Sequence, residues 1–403
     1  MKNILPCIVG LGYVGLPIFS RVQKKFQTIG YDINFKKIKE LKKGIDITNT
    51  LNKNFKLKNK SYFTSYSSDI KNSNFYIITV PTPVYKNNIP NLEHIIQATK
   101  VIAKNLKKKD IIFYESTVYP GTTKNICIPI LEKISKLKSN VDFFVGYSPE
   151  RINPGDKRHS VDKIKKIIAI ENFHIKDKVL KVYKRISNHL VFNQNIEEAE
   201  TSKVIENIQR DLNIALINEI YKVCRKLNIN FKNVMSLAST KWNFIRFSPG
   251  LVGGHCLPVD PYYFSYIAKK NKINTKVILA GRSVNNDMKQ FVIKDIKNIL
   301  NQNKISLDEK ILFLGATYKK NVPDIRNSLS LDIFYKIRKI YKKSYLSDPL
   351  VAHYFINKPF FLKRINNLNS FKLLIIMVDH DIFKALINKF KNSLKIKLVK
   401  VLS

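Results

Sequence analysis

Three glycines in the spacing G-x-G-x-x-G, Gly10, Gly12 and Gly15, lie between an apolar run, Ile4–Val9, and a helical stretch, and a second short run, Thr28–Tyr31, ends on Asp32. The order is strand, tight turn, helix, strand. In such a unit the first glycine permits the turn, the second lets backbone approach a pyrophosphate, and the third lets helix meet strand; an acid about 20 residues on accepts ribose hydroxyls. Asp32 stands at that distance. The glycine pattern alone is weak, and a glycine-rich turn that binds no dinucleotide is the alternative. Because a carboxylate there repels a 2′-phosphate, NAD is expected in preference to NADP.

The following runs, Phe75–Val80, Ile111–Tyr114 and Phe143–Tyr147, alternate with amphipathic stretches, the pattern of a parallel sheet covered by helices. This places a first, NAD-binding domain at 1–195. The period then changes. Val204, Ile205, Ile208, Leu212, Leu216, Ile220 and Val223 recur every three or four residues, and Asn195 followed by Glu198 reads as an N-cap pair, so one long helix is expected in a central segment, 196–300. Strand-like runs at 310–316, Ser344–Leu346 and 371–381 then suggest a second, degenerate nucleotide-binding fold at 301–403. The fold class is α/β: two Rossmann-like domains with parallel sheets, joined by a long central helix within a helical linker domain.

Charge sharpens this less than its size suggests. The net charge is +41, from 71 basic and 30 acidic residues, which raises nucleic-acid binding as a reading. But the lysines are scattered among Asn and Ile along the whole chain, the signature of compositional drift and a solvated Lys-rich surface. The four cysteines form no CxxC pair and sit near no histidine at zinc spacing, so neither a disulfide framework nor a metal is indicated and a reducing cytoplasm fits. No apolar run approaches the ~18–20 residues that span a bilayer, and in the opening MKNILPCIVGLGYVGL the proline, the regular glycines and the lack of a small-residue cleavage site after the run argue against a signal peptide.

Cys256 lies in GLVGGHCLPVDPYY, between helical segments. A lone cysteine is ordinarily a small buried apolar residue. Here Gly253 and Gly254 permit close backbone approach, and His255 and Asp260 bring titratable groups nearby. A cysteine in a chain with an NAD site suggests aldehyde oxidation through a thiohemiacetal and a thioester. Lys203 and Asn207, four apart, share one helix face, although a helical lysine is ordinarily solvated.

VGLGYVGLP, VPTPV at 80–84, ESTVYPGTT at 115–123, SPERINPGD at 148–156, KVIENIQRDLNIALINE at 203–219, PGLVGGHCLPVDPYY at 249–263 and LGATYKKNVPDIRNS at 314–328 occur in the order found in the UDP-glucose/GDP-mannose dehydrogenase family, which the chain resembles over nearly its whole length. The resemblance implies a homodimeric enzyme with a helical dimerisation domain at its centre, NAD on the first domain and a UDP-sugar largely on the last; the scattered lysines and the lack of a long apolar run make nucleic-acid binding and membrane insertion unexpected. It makes Cys256 the nucleophile, Lys203 and Asn207 the oxyanion stabilisers, Thr117 and Asp260 the holders of a catalytic water, and Glu150 the carboxylate of thioester hydrolysis. The implied cofactor residues are Gly10, Gly12, Tyr13, Val14, Gly15, Asp32, Lys37, Pro81, Thr82 and Thr117. Those for the substrate are Glu150, Arg151, Lys203, Asn207, Lys241, Gly250, Gly253, Lys319 and Arg326, with Lys241 where a basic residue reaches across a dimer.

Two departures bear on the sugar and one on the fold. Pro154 replaces a second acid of the UDP-glucose branch, and SPERINPGD resembles the branch acting on UDP-N-acetylhexosamines, with the galacto epimer slightly ahead, in capsule and O-antigen biosynthesis. UDP-glucose and GDP-mannose remain alternatives, as does a binding protein that kept the fold and lost turnover. Lys400 stands where the family places an acid, which puts the last strand in doubt.

Overall fold

The computed structural model describes residues 4–46, 48, 50–51, 55–151, 162–365, 367–390 and 397–402. By compactness the chain divides into two units, Met1–Glu206 with Tyr262–Asn274, and Asn207–Pro261 with Thr275–Ser403. The residues of the central segment, 196–300, are thus shared between them.

The first unit carries β1 (Pro6–Val9), α1 (Gly15–Val22), β2 (Ile29–Tyr31), α2 (Phe35–Lys42), β3 (Tyr62–Thr64), β4 (Phe75–Ile78), α3 (Glu93–Ala103), β5 (Ile111–Tyr114), α4 (Ile128–Ser135), β6 (Phe144–Tyr147), β7 (Lys166–Ile170), α5 (Lys176–Tyr183) and β8 (Leu190–Asn193). Its sheet has the order β3-β2-β1-β4-β5-β6-β7-β8. All neighbours are parallel except β6 and β7, where Gly146 faces Ile170 and Tyr147 faces Ala169 in antiparallel register. The sheet is parallel as expected but for this one pair, and β3, β7 and β8 are additions to the strands expected. Strand β1 starts at Pro6, later than the Ile4 expected, because proline has no amide to give a ladder; Leu5 N–H goes instead to Asn74 Oδ1, 2.9 Å away. Helix α1 also ends earlier than Phe26, where the buried Gln23 turns its amide to the 56–58 backbone. The core between sheet and helices is aromatic: Phe75 stacks on Phe113 at 5.8 Å, and Phe113 meets Tyr183 at 4.8 Å.

Helix α6 (Ile196–Lys226) is the long helix expected. Asn195 Oδ1 accepts the Glu198 amide at 3.2 Å, but Glu198 does not reciprocate: its carboxylate takes the Asn193 side chain. The apolar stripe read from the sequence is only partly the buried face. Val204 and Ile208 are buried, whereas Ile205, Leu216 and Val223 are each more than half exposed, and Asp211 and Asn218 are buried in their place.

The second unit adds α7 (Phe231–Ala238), α9 (Lys276–Gln302), β9 (Ile311–Leu314), α10 (Leu329–Arg338), β10 (Ser344–Ser347), β11 (Leu373–Ile376), α11 (Asp381–Phe390) and β12 (Lys397–Lys400); α8 (Asp260–Lys270) begins in it. Its strands form an all-parallel sheet, β10-β9-β11-β12. The last strand does form, pairing with β11 through Val399 and Lys400, and Lys400 ion-pairs with Asp379 at 2.7 Å. No helix among the described residues is long and apolar enough to cross a membrane.

Candidate active site

The glycine turn is built as its spacing requires. Gly10 has φ +93°, in the left-handed region, and a Cβ on Gly15 would fall 1.9 Å from the Gly10 carbonyl and 2.5 Å from Thr79 Oγ1. Gly12 faces open space. Tyr13 and Val14, both half-buried, complete the turn into α1. Asp32, at the end of β2, accepts Leu11 N–H at 2.9 Å and the Lys37 ammonium at 2.6 Å on Oδ2, and Asn34 N–H at 2.9 Å on Oδ1. A carboxylate oxygen has two lone pairs, so Oδ1 keeps room for a ribose hydroxyl. The fingerprint loop, the acid and Lys37 are thus one hydrogen-bonded assembly, and these residues fit NAD. A cavity of about 1260 Å³ lined by Asn74, Asp110, Lys107 and Lys178 lies at the amino ends of β1, β4 and β5, the edge opposite this turn.

Beyond the carboxyl ends of β4 and β5, Thr82 Oγ1 donates to the Thr117 carbonyl at 2.6 Å, and Tyr263 of α8 donates to the Thr82 carbonyl at 2.8 Å. Thr82 and Thr117, assigned separately from the sequence, are therefore braced together, with Pro81 exposed beside them. Glu200 of α6, which sequence reasoning missed, accepts the Gly121 and Thr123 amides at 2.6 and 2.9 Å and so anchors the loop that follows Thr117. Burial, more than its partners can offset, pushes its carboxyl up to about 7.

Glu150 follows β6, its Oε1 accepting the Arg151 amide at 2.7 Å and its Oε2 lying 3.1 Å from the Lys166 ammonium. Arg151 is held by the carboxylate of Glu206 on α6. Lys203 is buried on α6, and among the described residues its ammonium has no hydrogen-bond or ion-pair partner. The assignment that rests on Pro154 lies outside the described residues.

In the second unit, Cys256 is exposed, while Cys7, Cys127 and Cys224 are all buried. Its carbonyl accepts the amides of Val259 and Asp260, which turns the chain into α8. The loop before it needs its glycines: a Cβ on Gly253 would lie 2.6 Å from the Asn327 carbonyl, and Gly254, at φ +87°, packs against the ring of Tyr318. Asn207 donates to the buried carboxylate of Asp260, which brings together two residues expected in different roles. Gly250, at the root of the loop, is held on both sides by one side chain: Asn218 accepts its N–H at 2.8 Å and donates to its carbonyl at 3.0 Å. Behind Asn218 stand Asn285 and the buried pair Asp211–Arg282, at 2.6 Å. Arg326 is fixed by Asp324 at 2.7 Å and donates to His255 Nε2 at 2.8 Å. Burial, then the neighbouring guanidinium, pushes the His255 imidazole down to about 4, so it is neutral at physiological pH. Lys319 lies on the same loop, between β9 and α10, and Lys241 is exposed next to Trp242.

A turn that Gly12 leaves open for a pyrophosphate and in which Gly15 lets helix meet strand, with an acid at the distance of a ribose, is that of the nicotinamide-dependent oxidoreductases. Comparison with known proteins narrows this class. The UDP-glucose/GDP-mannose dehydrogenase family is matched in all three of its parts: NAD binding domain at residues 4–187, central domain at 197–287 and UDP binding domain at 312–401. A UDP-N-acetyl-D-glucosamine 6-dehydrogenase of Salmonella typhi is 41% identical over 385 residues, covering 94% of this chain and 90% of the relative. One of the same name from Pseudomonas aeruginosa is 43% identical, covering 87% and 84%. The solved structure of a UDP-D-ManNAc dehydrogenase from Pyrococcus horikoshii superposes with a TM-score of 0.86 at 28% identity, over 99% and 96% of the two chains. The chain belongs to the UDP-glucose/GDP-mannose dehydrogenase family and is an NAD-dependent nucleotide-sugar dehydrogenase.

Proposed function

We propose that this protein oxidises the C6 hydroxymethyl group of a UDP-N-acetylhexosamine to the carboxylate, in two hydride steps through a covalent intermediate on Cys256. The substrate class rests on the two relatives above, both named for UDP-N-acetyl-D-glucosamine and similar over most of the chain. Their names favour the gluco epimer, with the galacto epimer second.

NAD, when bound, supplies the hydride acceptor for both oxidations. The chain's own residues do the rest. Asp32 and the glycine turn orient the dinucleotide. The Cys256 thiolate adds to the C6 aldehyde, giving a thiohemiacetal whose oxidation leaves a thioester. Each tetrahedral species carries negative charge on oxygen, which the Lys203 ammonium and the Asn207 amide stabilise, contacts of a kind worth about 3–4 kcal/mol. These two groups follow one another by a single turn of α6. Thr117 and Asp260 orient the water that cleaves the thioester, and Glu150 takes its proton. Arg151, Gly250, Gly253, Lys319 and Arg326 hold the nucleotide sugar. In this reading the domains run 1–195 for NAD, 196–300 for the central helices and 301–403 for UDP, in a cytoplasmic enzyme supplying uronates to surface polysaccharide.

The test is NADH production with a panel of nucleotide sugars. UDP-N-acetylglucosamine or its C4 epimer should show kcat/KM at least about 10²-fold above UDP-glucose and GDP-mannose, because a pocket built for an acetamido group leaves buried polar atoms unpaired with a sugar lacking it. Comparable turnover of UDP-glucose would sink the assignment.

The working form is proposed to be a homodimer. On α6, Leu216 and Val223 are each more than half exposed, and beyond it Leu227 is 62%, Leu237 72% and Trp242 92% exposed. Apolar side chains gathered in this number on one unit suggest an interface. Sedimentation should give twice the chain mass, and Leu216→Glu/Val223→Glu should give monomers; a monomeric parent protein would refute the idea.

A further inference from the structure

Behind Glu150 lies a buried charged cluster that the reaction scheme leaves unused. Lys166, the first residue of β7, is 5% exposed. Its ammonium sits 2.7 Å from Glu115 Oε2 and 3.1 Å from Glu150 Oε2. Glu115 directly follows β5, and its other oxygen accepts the hydroxyl of Tyr183, from α5, at 2.8 Å. One ammonium is therefore shared by two carboxylates, with a phenol on the far side.

The topology explains why the cluster forms where it does. In open α/β sheets, ligands bind beyond the carboxyl ends of the strands. Glu115 and Glu150 follow the carboxyl ends of the parallel strands β5 and β6. Strand β7 runs antiparallel to β6, so its first residue, Lys166, is delivered to that same edge. Were β7 parallel, its amino end would lie at the opposite edge. The one reversed strand of the sheet thus places a cation beneath the carboxylate assigned to hydrolysis.

The two carboxylates differ in what they can do. Glu115 is sealed from solvent, and burial, opposed by Lys166 and reinforced by Glu150, pushes it up to about 7. Burial draws the Lys166 ammonium down, but the two carboxylates outweigh it and hold it above its ordinary value. Burial thus favours the neutral form of Glu115, the carboxylates favour the charged form of Lys166, and the ammonium stands as the cation beside Glu150.

We propose that Lys166 is a positioning residue for thioester hydrolysis: bridging Glu115 and Glu150, it fixes the Glu150 carboxylate and keeps it ionised as the base for the attacking water. This rests on the reading of Glu150 given above. In the step concerned, the water oxygen bonds to the acyl carbon, the C–S bond breaks, Cys256 leaves as thiolate, and one water proton passes to Glu150. The product carboxylic acid releases its proton to solvent.

Lys166→Met separates this role from a structural one. With NAD and whichever UDP-N-acetylhexosamine reacts faster, the variant should release a burst of two NADH per site at the parent rate. Steady-state turnover should then fall about 10²-fold, the size of a general-base contribution, while intact-mass measurement finds the acyl adduct on Cys256. The acidic limb of kcat should move to higher pH, since losing the adjacent cation raises the Glu150 carboxyl. Lys166→Arg should restore both rate and limb. Because an unpartnered Glu115 could unfold the single variant, Lys166→Met/Glu115→Gln provides the same readouts with that charge removed. Loss of the burst in step with turnover, at an unchanged pH profile, would overturn the proposal. Glu150→Gln is the control for the underlying reading: adduct there but not in Lys166→Met refutes the role of Lys166 alone, and no adduct in Glu150→Gln refutes both.

Discussion

Cys256→Ala is expected to lose uronate formation by roughly 10³-fold or more, the scale on which removal of a covalent nucleophile acts, while still binding NAD and UDP-sugar. The glycine turn and Asp32 belong to the first unit, so nothing that holds the dinucleotide is touched. Of the four cysteines it is the one exposed side chain, and deleting it leaves no core cavity. What changes is the fate of the aldehyde. Without sulfur to capture it there is no thiohemiacetal to oxidise, so NADH formed per sugar consumed should drop from two to at most one, and hydroxylamine should trap an aldehyde that the parent enzyme never releases. Uronate produced by the variant at a rate near the parent's would falsify covalent catalysis here. Unchanged thermal stability beside lost turnover would assign the loss to chemistry instead of folding.

The parts of this molecule that were legible in the sequence are those made of consecutive residues. Strand, glycine turn, helix and acid lie within Pro6–Asp32, and their spacing is itself the geometry, so this turn and its acid could be read residue by residue. The length of α6 followed from its period and its Asn195 cap. Its buried face did not: leucine and valine at 216 and 223 suggested an apolar seam, but Asp211 and Asn218 occupy the buried side because partners some 70 positions on satisfy them. Strands β3 and β8 are short, and β8 sits at the sheet edge with Val191 half exposed, so neither needs a marked apolar run. Lys166 was hidden for a different reason. In a chain with 71 basic residues, a lysine reads as solvated surface, and the two carboxylates that bury this one come from positions 51 and 16 residues away. Likewise, no spacing links Asn218 to Gly250, although that pairing fixes the root of the cysteine loop.

Arg282→Met should destabilise the second unit by about 3–5 kcal/mol, the cost of breaking a buried ion pair from one side. Arg282 on α9 and Asp211 on α6 are 2% and 1% exposed, 2.6 Å apart. Asn285 donates to the same carboxylate at 2.8 Å and accepts from Asn218, so the pair also stands behind the loop root at Gly250. Burial holds the Asp211 carboxyl above its ordinary value even with the guanidinium, then the amide of Asn285, pulling it down. An acid whose folded-state pKa is raised binds more protons folded than unfolded, so its ionisation costs stability as pH rises past its unfolded value, near about 3.9. Removing Arg282 raises it further. The loss should therefore be greatest at neutral pH and shrink toward pH 5, where the variant's Asp211 can take up a proton and bury neutrally. Native-state hydrogen exchange in α6 and α9, corrected for intrinsic rates, reads the opening of this unit directly. Arg282→Met/Asp211→Leu should recover much of the loss, because the penalty lies in the orphaned carboxylate more than in the missing attraction. A deficit below about 1 kcal/mol, or one equal at both pH values, would show that water reaches Asp211 when its partner is gone and that the pair is not sealed as its burial indicates.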